Sequence, residues 1–113
     1  MRDPLPVVEH FTALFLNGKH RIVSKVLISI GTLNSALVHP RDVFGPALRL
    51  GTCGAIIVAH NHPSGDVSPS QEDLALTQRL KEVGEILGVP LVDHLIYTES
   101  AYKSLLESTQ IWA

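Results

Sequence analysis

The chain has 113 residues, of which 45% are apolar and 18% are charged. This length is typical of one domain that buries roughly two-thirds of its unfolded surface. The apolar share is sufficient for a packed core without disulfides or a structural metal. The single cysteine, Cys53, excludes an internal disulfide and predicts a reducing, cytoplasmic setting.

Charge and hydropathy argue against three further classes of protein. Nine basic and eleven acidic residues give a formal charge of −2. Because phosphate neutralisation supplies most of the affinity for nucleic acids, we expect no autonomous nucleic-acid binding. The N-terminal segment lacks the apolar region of a signal peptide, and no apolar run approaches the ~18 residues of a membrane span.

The first half of the chain is predicted to form a hairpin and a helix. Segment 7–17, VVEHFTALFLN, is rich in β formers and ends at Asn17-Gly18, a favourable hairpin turn. Segment 20–29, HRIVSKVLIS, alternates apolar residues and should pair with it in antiparallel fashion. The form of the next connection is left open. Pro40 then opens a helix over 41–50, whose apolar residues recur at helical spacing: Val43, Phe44, Ala47, Leu48 and Leu50.

The second half is predicted to alternate strands and helices. Segment 53–60, CGAIIVAH, is almost continuously apolar, which is typical of a strand covered on both faces. A helix over 69–87 follows, then a strand over 90–98 and a short closing helix over 100–109. The order ββαβαβα indicates an α/β domain with a mixed sheet flanked by helices, in two or three layers.

The helix over 69–87 is predicted from its ends. Ser68 is the expected N-cap, with Pro69 at the first helical position and Gln71 completing a capping box. Gly88 is the expected stop. The inner face is predicted to consist of Leu74, Thr77, Leu80, Val83 or Gly84, and Leu87.

Two histidines and an aspartate are expected to converge where the strand ends and this helix begins. His60 and His62 are two residues apart in an extended segment, so their side chains point to the same side. Asp73 lies on the first turns of the helix, which returns toward the end of the strand. Three nitrogen or oxygen ligands with a fourth position for water form a catalytic zinc site. Such a site lowers the pKa of its water to about 7 and supports hydrolysis.

Each of these residues also has an ordinary interpretation. A histidine at a strand end is more often a surface or hydrogen-bonded residue than a ligand. Asp73 alone could be a carboxylate favoured by the helix dipole. Ser70 shares the helix face of Asp73. Because Ser68 is the predicted N-cap, the hydroxyl of Ser70 is not needed for capping and could have another role. The coincidence of all of them at this spacing favours the metal site.

The segment HNHPSGDVSPSQED, residues 60–73, matches H-x-H-P-x6-S-x2-D without a gap. This pattern resembles the signature of the JAMM (MPN-plus) zinc metallopeptidases. The flanking text, from GTLNSALVHPRDVF through to GVPLVDHLIY, is similar to the bacterial RadC-type branch of that group, which is traditionally labelled a DNA repair protein. The resemblance covers about residues 8–98 and implies an α-β-α sandwich of the cytidine-deaminase-like kind.

The resemblance implies a role for each matching residue. His60, His62 and Asp73 would hold one zinc ion per chain. Ser70 would donate a hydrogen bond to the oxyanion of the tetrahedral intermediate. The family also uses a glutamate on an earlier strand as general base, and Glu9 is the only glutamate before the motif. The implied activity is hydrolysis of an amide bond in a peptide or protein substrate.

Residues outside the motif carry less definite expectations. Asp93 or His94, in VDHLIY, could orient a ligand imidazole, although a polar pair on a solvent-facing strand is an equally good interpretation. Asn61 is expected to point away from the two ligands and to brace the loop. His39 receives no role, and Cys53 is interpreted as a packing residue at the start of a strand.

The resemblance also bears on domain organisation. RadC-type proteins often carry a helix-hairpin-helix region before this domain, and nothing like it is present here. We expect residues 1–113 to form a single JAMM/MPN-type domain, either by itself or as a fragment lacking that region. The ending YTESAYKSLLESTQIWA departs from the glycine-containing, Ser-Phe-rich ending usual in the branch. Exposed strand edges also allow a homo-oligomer.

Three other functions are alternatives to a peptidase. A non-catalytic, metal-binding interaction module of a DNA-metabolism protein is the main alternative. An HNH nuclease takes its three residues from separate elements rather than from one tripeptide. A zinc deaminase needs H-x-E followed by P-C-x-x-C, and the chain has only one cysteine.

Overall fold

The computed structural model describes residues 9–31 and 38–113. Within them, five strands form one mixed sheet in the order β2-β1-β3-β4-β5, in which β3 and β4 are parallel and the other neighbours are antiparallel. The predicted α/β class, with a mixed sheet and flanking helices, is confirmed. The elements are β1 (Glu9–Leu16), β2 (Ile22–Gly31), α1 (Pro40–Leu50), β3 (Ala55–Asn61), α2 (Gln71–Leu87), β4 (Leu91–Tyr97), β5 (Tyr102–Ser104) and α3 (Leu105–Ser108).

The predicted hairpin is present as β1 and β2. Asn17 organises the turn, because its Oδ1 accepts the N–H groups of Lys19 and Arg21 at 2.9 and 3.0 Å. Residues 7 and 8 of the predicted first strand, and most of the connection left open, lie outside the described residues. β2 runs two residues further than predicted, to Gly31, which pairs with Glu9.

The core lies on the face of the sheet that α1 and α2 cover. On β1, Phe11, Ala13 and Phe15 alternate into it. In α1, two of the five apolar residues at helical spacing, Leu48 and Leu50, are exposed (51% and 38%). The other predicted residues of α1 are buried, and the cluster contains Val43, Phe44, Ala47, Ile56, Val58, Leu76 and Leu80.

The start of α2 differs from the prediction. The helix begins at Gln71, and its N-cap is Ser70 rather than Ser68. The Ser70 hydroxyl accepts the N–H of Asp73 at 3.0 Å, and the Asp73 carboxylate accepts the N–H of Ser70 at 2.9 Å. This reciprocal capping box satisfies two otherwise unpaired N–H groups, so the prediction that Ser70 is free of a capping role is wrong.

The inner face of α2 is rotated slightly from the prediction. Thr77, Leu80 and Gly84 are buried as expected, but Leu76 is buried where Leu74 was predicted. Leu87 is 41% exposed. Gly88 ends the helix in the left-handed conformation (φ 75°), as predicted.

The C-terminal segment was predicted as one helix over 100–109, and this is wrong in part. Tyr102–Ser104 form the short edge strand β5, paired with Leu95–Tyr97, and only Leu105–Ser108 are helical. The Asp93 carboxylate fixes this change of direction, because it accepts the Ser104 hydroxyl at 2.6 Å and the Leu106 N–H at 3.0 Å. A tertiary contact therefore overrides the local helical pattern.

The connection β3-α2-β4 positions the site. A helix that links two parallel neighbouring strands begins near the C-terminal end of the first strand. His60 and Asn61 are the last residues of β3, and the N-terminus of α2 returns to them after a nine-residue loop, 62–70. Of the helices in the described ranges, none is both long and apolar enough to cross a bilayer.

Candidate metal centre

His60 and His62 bring two ring nitrogens together at the end of β3. Their Nε2 atoms are 2.9 Å apart. The His60 side chain is fully buried, whereas that of His62 is 13% exposed. The predicted same-side orientation of the two rings is confirmed.

Asp73 completes the cluster from the first turn of α2. Its Oδ1 lies 3.3 Å from His60 Nε2, and its Oδ2 lies 3.3 Å from His62 Nε2. The capping box with Ser70 holds the carboxylate in place, and the residue is almost fully buried. Within residues 9–31 and 38–113, this set of three is the group of His, Cys, Asp or Glu side chains whose ligand atoms could hold a metal ion.

The hydrogen bonds on the far side of each ring determine where its proton lies. His62 Nδ1 is 2.8 Å from the carbonyl oxygen of Asp66. A carbonyl can only accept, so His62 carries its proton on Nδ1. His60 Nδ1 is 2.8 Å from His94 Nε2. Desolvation by burial, followed by the neighbouring His60, lowers the pKa of His94 to about 3, so that its ring is neutral.

Thr77 assigns the proton of His94. The Thr77 hydroxyl is 2.6 Å from the backbone carbonyl of Asp73 and 2.6 Å from His94 Nδ1. Since the carbonyl has no proton, the hydroxyl donates to it and accepts from His94 Nδ1. His94 Nε2 is then an acceptor, and His60 Nδ1 donates to it. Both histidines therefore direct an Nε2 lone pair toward the Asp73 carboxylate and each other.

This geometry suits a small divalent cation. Two lone pairs facing each other at 2.9 Å repel unless a proton or a metal ion lies between them. Tetrahedral zinc with bonds of about 2.0–2.1 Å separates its donor atoms by roughly 3.3 Å. Each ring nitrogen lies at this separation from one oxygen of the Asp73 carboxylate, His60 from Oδ1 and His62 from Oδ2, and the His–His separation is slightly shorter. Two imidazoles and one carboxylate are also a ligand set found in catalytic zinc sites.

The loop over 62–70 has a defined conformation. Gly65 adopts φ 90°, which a residue with a side chain rarely tolerates, and its N–H bonds the His62 carbonyl at 3.1 Å. The Asp66 carboxylate accepts the N–H of Ser68 at 2.9 Å, and this bonding to Ser68 lowers the pKa of Asp66. The turn thereby presents the Asp66 carbonyl to His62.

Ser70 lies beside the carboxylate ligand and is exposed. Its oxygen accepts the Asp73 N–H, but this bond uses a lone pair and leaves the hydroxyl hydrogen available as a donor. The capping role that the structure adds to Ser70 is therefore compatible with donation to a bound substrate.

Glu9 is the first residue of β1 and is half-buried. It does not belong to the group of converging ligand atoms. The β1–β3 ladder pairs Phe11 with His60, and residues directly opposite each other in a ladder project to the same face. Glu9 precedes Phe11 by two residues in β1, so alternation along the strand places Glu9 on this face as well.

Asn61 braces the strand that carries Glu9. It is fully buried, and its Oδ1 accepts the N–H of His10 at 2.6 Å. The sequence predicted that Asn61 braces the loop, and the bond to His10 shows that it also braces β1. This bond fixes the backbone one residue from Glu9.

His94 is the residue whose importance the sequence left undecided. It is fully buried and contacts His60 directly; the interpretation as a solvent-facing polar residue is wrong. Phe11 packs against both rings, stacked on His60 at 5.9 Å and edge-on to His94 at 5.8 Å between ring centroids. Asp93, by contrast, bonds β5 and the start of α3.

Two other residues considered in the sequence, Cys53 and His39, have structural roles. Cys53 precedes β3, packs against the core and contacts the Ala55 carbonyl through Sγ at 3.3 Å. Burial raises the pKa of its thiol. His39 is the N-cap of α1, and its N–H bonds Asp42 Oδ2 at 3.1 Å.

A mixed five-stranded sheet with a His-x-His strand end facing an aspartate on the next helix defines a domain of the JAB/MPN class. The chain matches the family model described as "RadC-like JAB domain" over residues 1–110. It therefore belongs to the RadC-like JAB domain family, as the motif predicted.

Relatives at about 50% identity have the same family membership. The chain is 53% identical over 100 residues to a UPF0758 protein of Trichlorobacter lovleyi and 52% identical over 99 residues to one of Staphylococcus haemolyticus. Each match covers 88% of this chain and 43% of the relative. A UPF0758 protein of Staphylococcus aureus is 51% identical over 100 residues, which are 88% of this chain and 45% of that protein. The chain thus spans less than half the length of these relatives.

Proposed function

We propose that this domain is a zinc-dependent hydrolase of the metallopeptidase or isopeptidase type, which cleaves an amide bond in a peptide or protein. The observation that supports it best is the convergence of two Nε2 lone pairs and a carboxylate. Each of these three side chains is fixed by a further hydrogen bond. His60, His62 and Asp73 would hold one zinc ion per chain. When bound, zinc supplies an activated water and a Lewis acid that polarises the substrate carbonyl.

The chain's own residues supply the remaining chemistry in this proposal. Glu9, which shares a face of β1 with the Phe11 that pairs with His60, accepts the proton of the attacking water and returns it to the leaving amine. Ser70 donates its hydroxyl hydrogen to the oxygen on which negative charge develops. The capping box orients Ser70 and Asp73 together, because each bonds the backbone N–H of the other.

The zinc site is tested by metal analysis of the purified chain. We expect about one zinc per chain in the wild type, and almost none in His62→Ala or Asp73→Ala. His39→Ala is the matched control, since it also removes an imidazole but lies outside the cluster, and it should retain full zinc. Stoichiometric zinc in Asp73→Ala would contradict the proposed ligand set.

Catalysis is tested separately with Glu9→Gln. This variant keeps the shape of the side chain but removes the base, so it should bind zinc like the wild type and lose about 10²–10⁴-fold in turnover of peptide or isopeptide substrates. A wild type that binds zinc, cleaves none of these substrates and captures a partner only with metal would instead favour the non-catalytic interaction module.

The cytoplasmic location, the single-domain extent and homo-oligomerisation stay predictions.

A further inference from the structure

A buried hydrogen-bonded chain connects the two elements that carry the ligands. It runs from the Asp73 carbonyl to the Thr77 hydroxyl, then through the His94 ring to His60 Nδ1, with separations of 2.6, 2.6 and 2.8 Å. Thr77, His94 and His60 are all fully buried. The chain therefore joins α2, β4 and β3 behind the metal centre, out of contact with water.

The direction of this chain follows from its first bond. The Asp73 carbonyl carries no proton, so the hydroxyl hydrogen of Thr77 is committed to it. The Thr77 oxygen must then accept from His94 Nδ1, and His94 Nε2 must accept from His60 Nδ1. The only nitrogen of His60 that keeps a lone pair is Nε2, which faces Asp73 and His62.

We propose that Thr77 and His94 are positioning residues that fix the tautomer of His60, so that Nε2 is always the metal-binding nitrogen. The inference rests on the proposed zinc centre and extends it to two residues outside the motif. A neutral imidazole accepts the His60 proton without adding a second buried carboxylate beside Asp73, whose desolvation and repulsion would be unfavourable. The tautomer of the other proposed ligand, His62, is fixed in a different way, because its Nδ1 bonds the Asp66 carbonyl of the loop.

Removing the Thr77 hydroxyl should reverse the direction of the chain. In Thr77→Val the volume is nearly unchanged, but His94 Nδ1 loses its acceptor. His94 is then free to carry its proton on Nε2 and donate it to His60 Nδ1, which favours the His60 tautomer protonated on Nε2 and weakens metal binding. Thr77→Ser is the matched control, because it keeps the hydroxyl and loses only a methyl group.

Zinc affinity, measured by competition with a chromophoric chelator, is the first readout. Loss of such an outer hydrogen bond typically costs 10–100-fold in metal affinity, and we expect a decrease of about that size for Thr77→Val. Thr77→Ser should remain within about threefold of the wild type. Circular dichroism and the Tm of the zinc-free proteins check folding, because a purely structural role would lower the Tm of Thr77→Val without a selective loss of zinc affinity.

The second readout needs no variant. Nuclear magnetic resonance of the zinc-loaded wild type, labelled with ¹⁵N-histidine, should show His60 protonated at Nδ1 and metal-bound at Nε2, with a slowly exchanging Nδ1 proton. Coordination through Nδ1, or wild-type affinity in Thr77→Val, would overturn the inference while leaving the zinc hydrolase intact. Absence of peptide cleavage would not contradict the inference about Thr77 and His94, since neither readout depends on turnover. Failure of the wild type to bind zinc would contradict both.

Discussion

Gly84 packs closely against the turn that leads into β4, and its substitution gives a quantitative test of the fold. A Cβ at this position would lie 2.7 Å from the Val89 carbonyl oxygen, 3.1 Å from Leu91 N and 3.3 Å from the Pro90 Cα. These neighbours are backbone atoms, so no side chain can swing away. The helix or the strand must move.

The expected cost of Gly84→Ala combines two opposing effects. Overpacking a well-filled interior costs about 1–3 kcal/mol, and the backbone contacts favour the upper part of that range. Alanine is better than glycine in a helix interior by ~1 kcal/mol. We therefore expect a net loss of about 1–2 kcal/mol in the free energy of unfolding, which lowers the Tm by roughly 5–15 °C in a domain of this size.

Urea denaturation followed by tryptophan fluorescence is a suitable assay. The only tryptophan, Trp112, donates its Nε1–H to the Leu91 carbonyl at 2.9 Å and therefore reports on the same region. Ile86→Ala is the control in the same helix, because that side chain is 83% exposed and should change stability by less than ~0.5 kcal/mol. A Gly84→Ala protein at least as stable as the wild type would refute the close packing of α2 on β4.

Two further predictions concern β4. Burial lowers the pKa of His94 to about 3, below the ordinary value near 6.5. Between these pH values, His94 is therefore protonated in the unfolded chain and neutral in the folded chain. With a chelator present, the wild type should lose up to ~1.4 kcal/mol more stability per pH unit than His94→Gln as the pH falls below 6.5; equal slopes would contradict this. Asp93→Ala should lose about 1–3 kcal/mol, because it leaves the Leu106 N–H and the Ser104 hydroxyl without their acceptor. Its zinc affinity should stay within about twofold, and a tenfold loss would mean that Asp93 belongs to the metal centre.

The residues that converge on the metal centre could be predicted because their placement is local. Alternation along β3 puts His60 and His62 on one face, and a helix that returns to its own strand brings Asp73 to that strand's end. The start of that helix was harder to predict, since SPSQED contains two serines that could each form a cap. The Asp73 carboxylate decides between them, because only Ser70 lies three residues before it.

The role of His94 could not be read from its surroundings in the sequence. It contacts His60 across 34 residues, and this contact depends on the parallel register that pairs Val58 with His94. A shift of that register by one residue would turn His94 to the opposite face of the sheet. The strand β5 was missed for a related reason, because three residues carry almost no pattern and acquire strand geometry only by pairing with β4.

The two imidazoles of the cluster are anchored with unequal stiffness, and this asymmetry has a kinetic consequence. His60 is enclosed by Phe11 and His94 in the interior, whereas His62 is partly exposed and is held by one loop carbonyl. In the proposed zinc centre, a departing ion would therefore detach most easily from His62 first, while His60 keeps its position. Substitutions in the loop over 63–69 should then alter how fast the ion is captured and released, and those behind His60 how tightly it is retained.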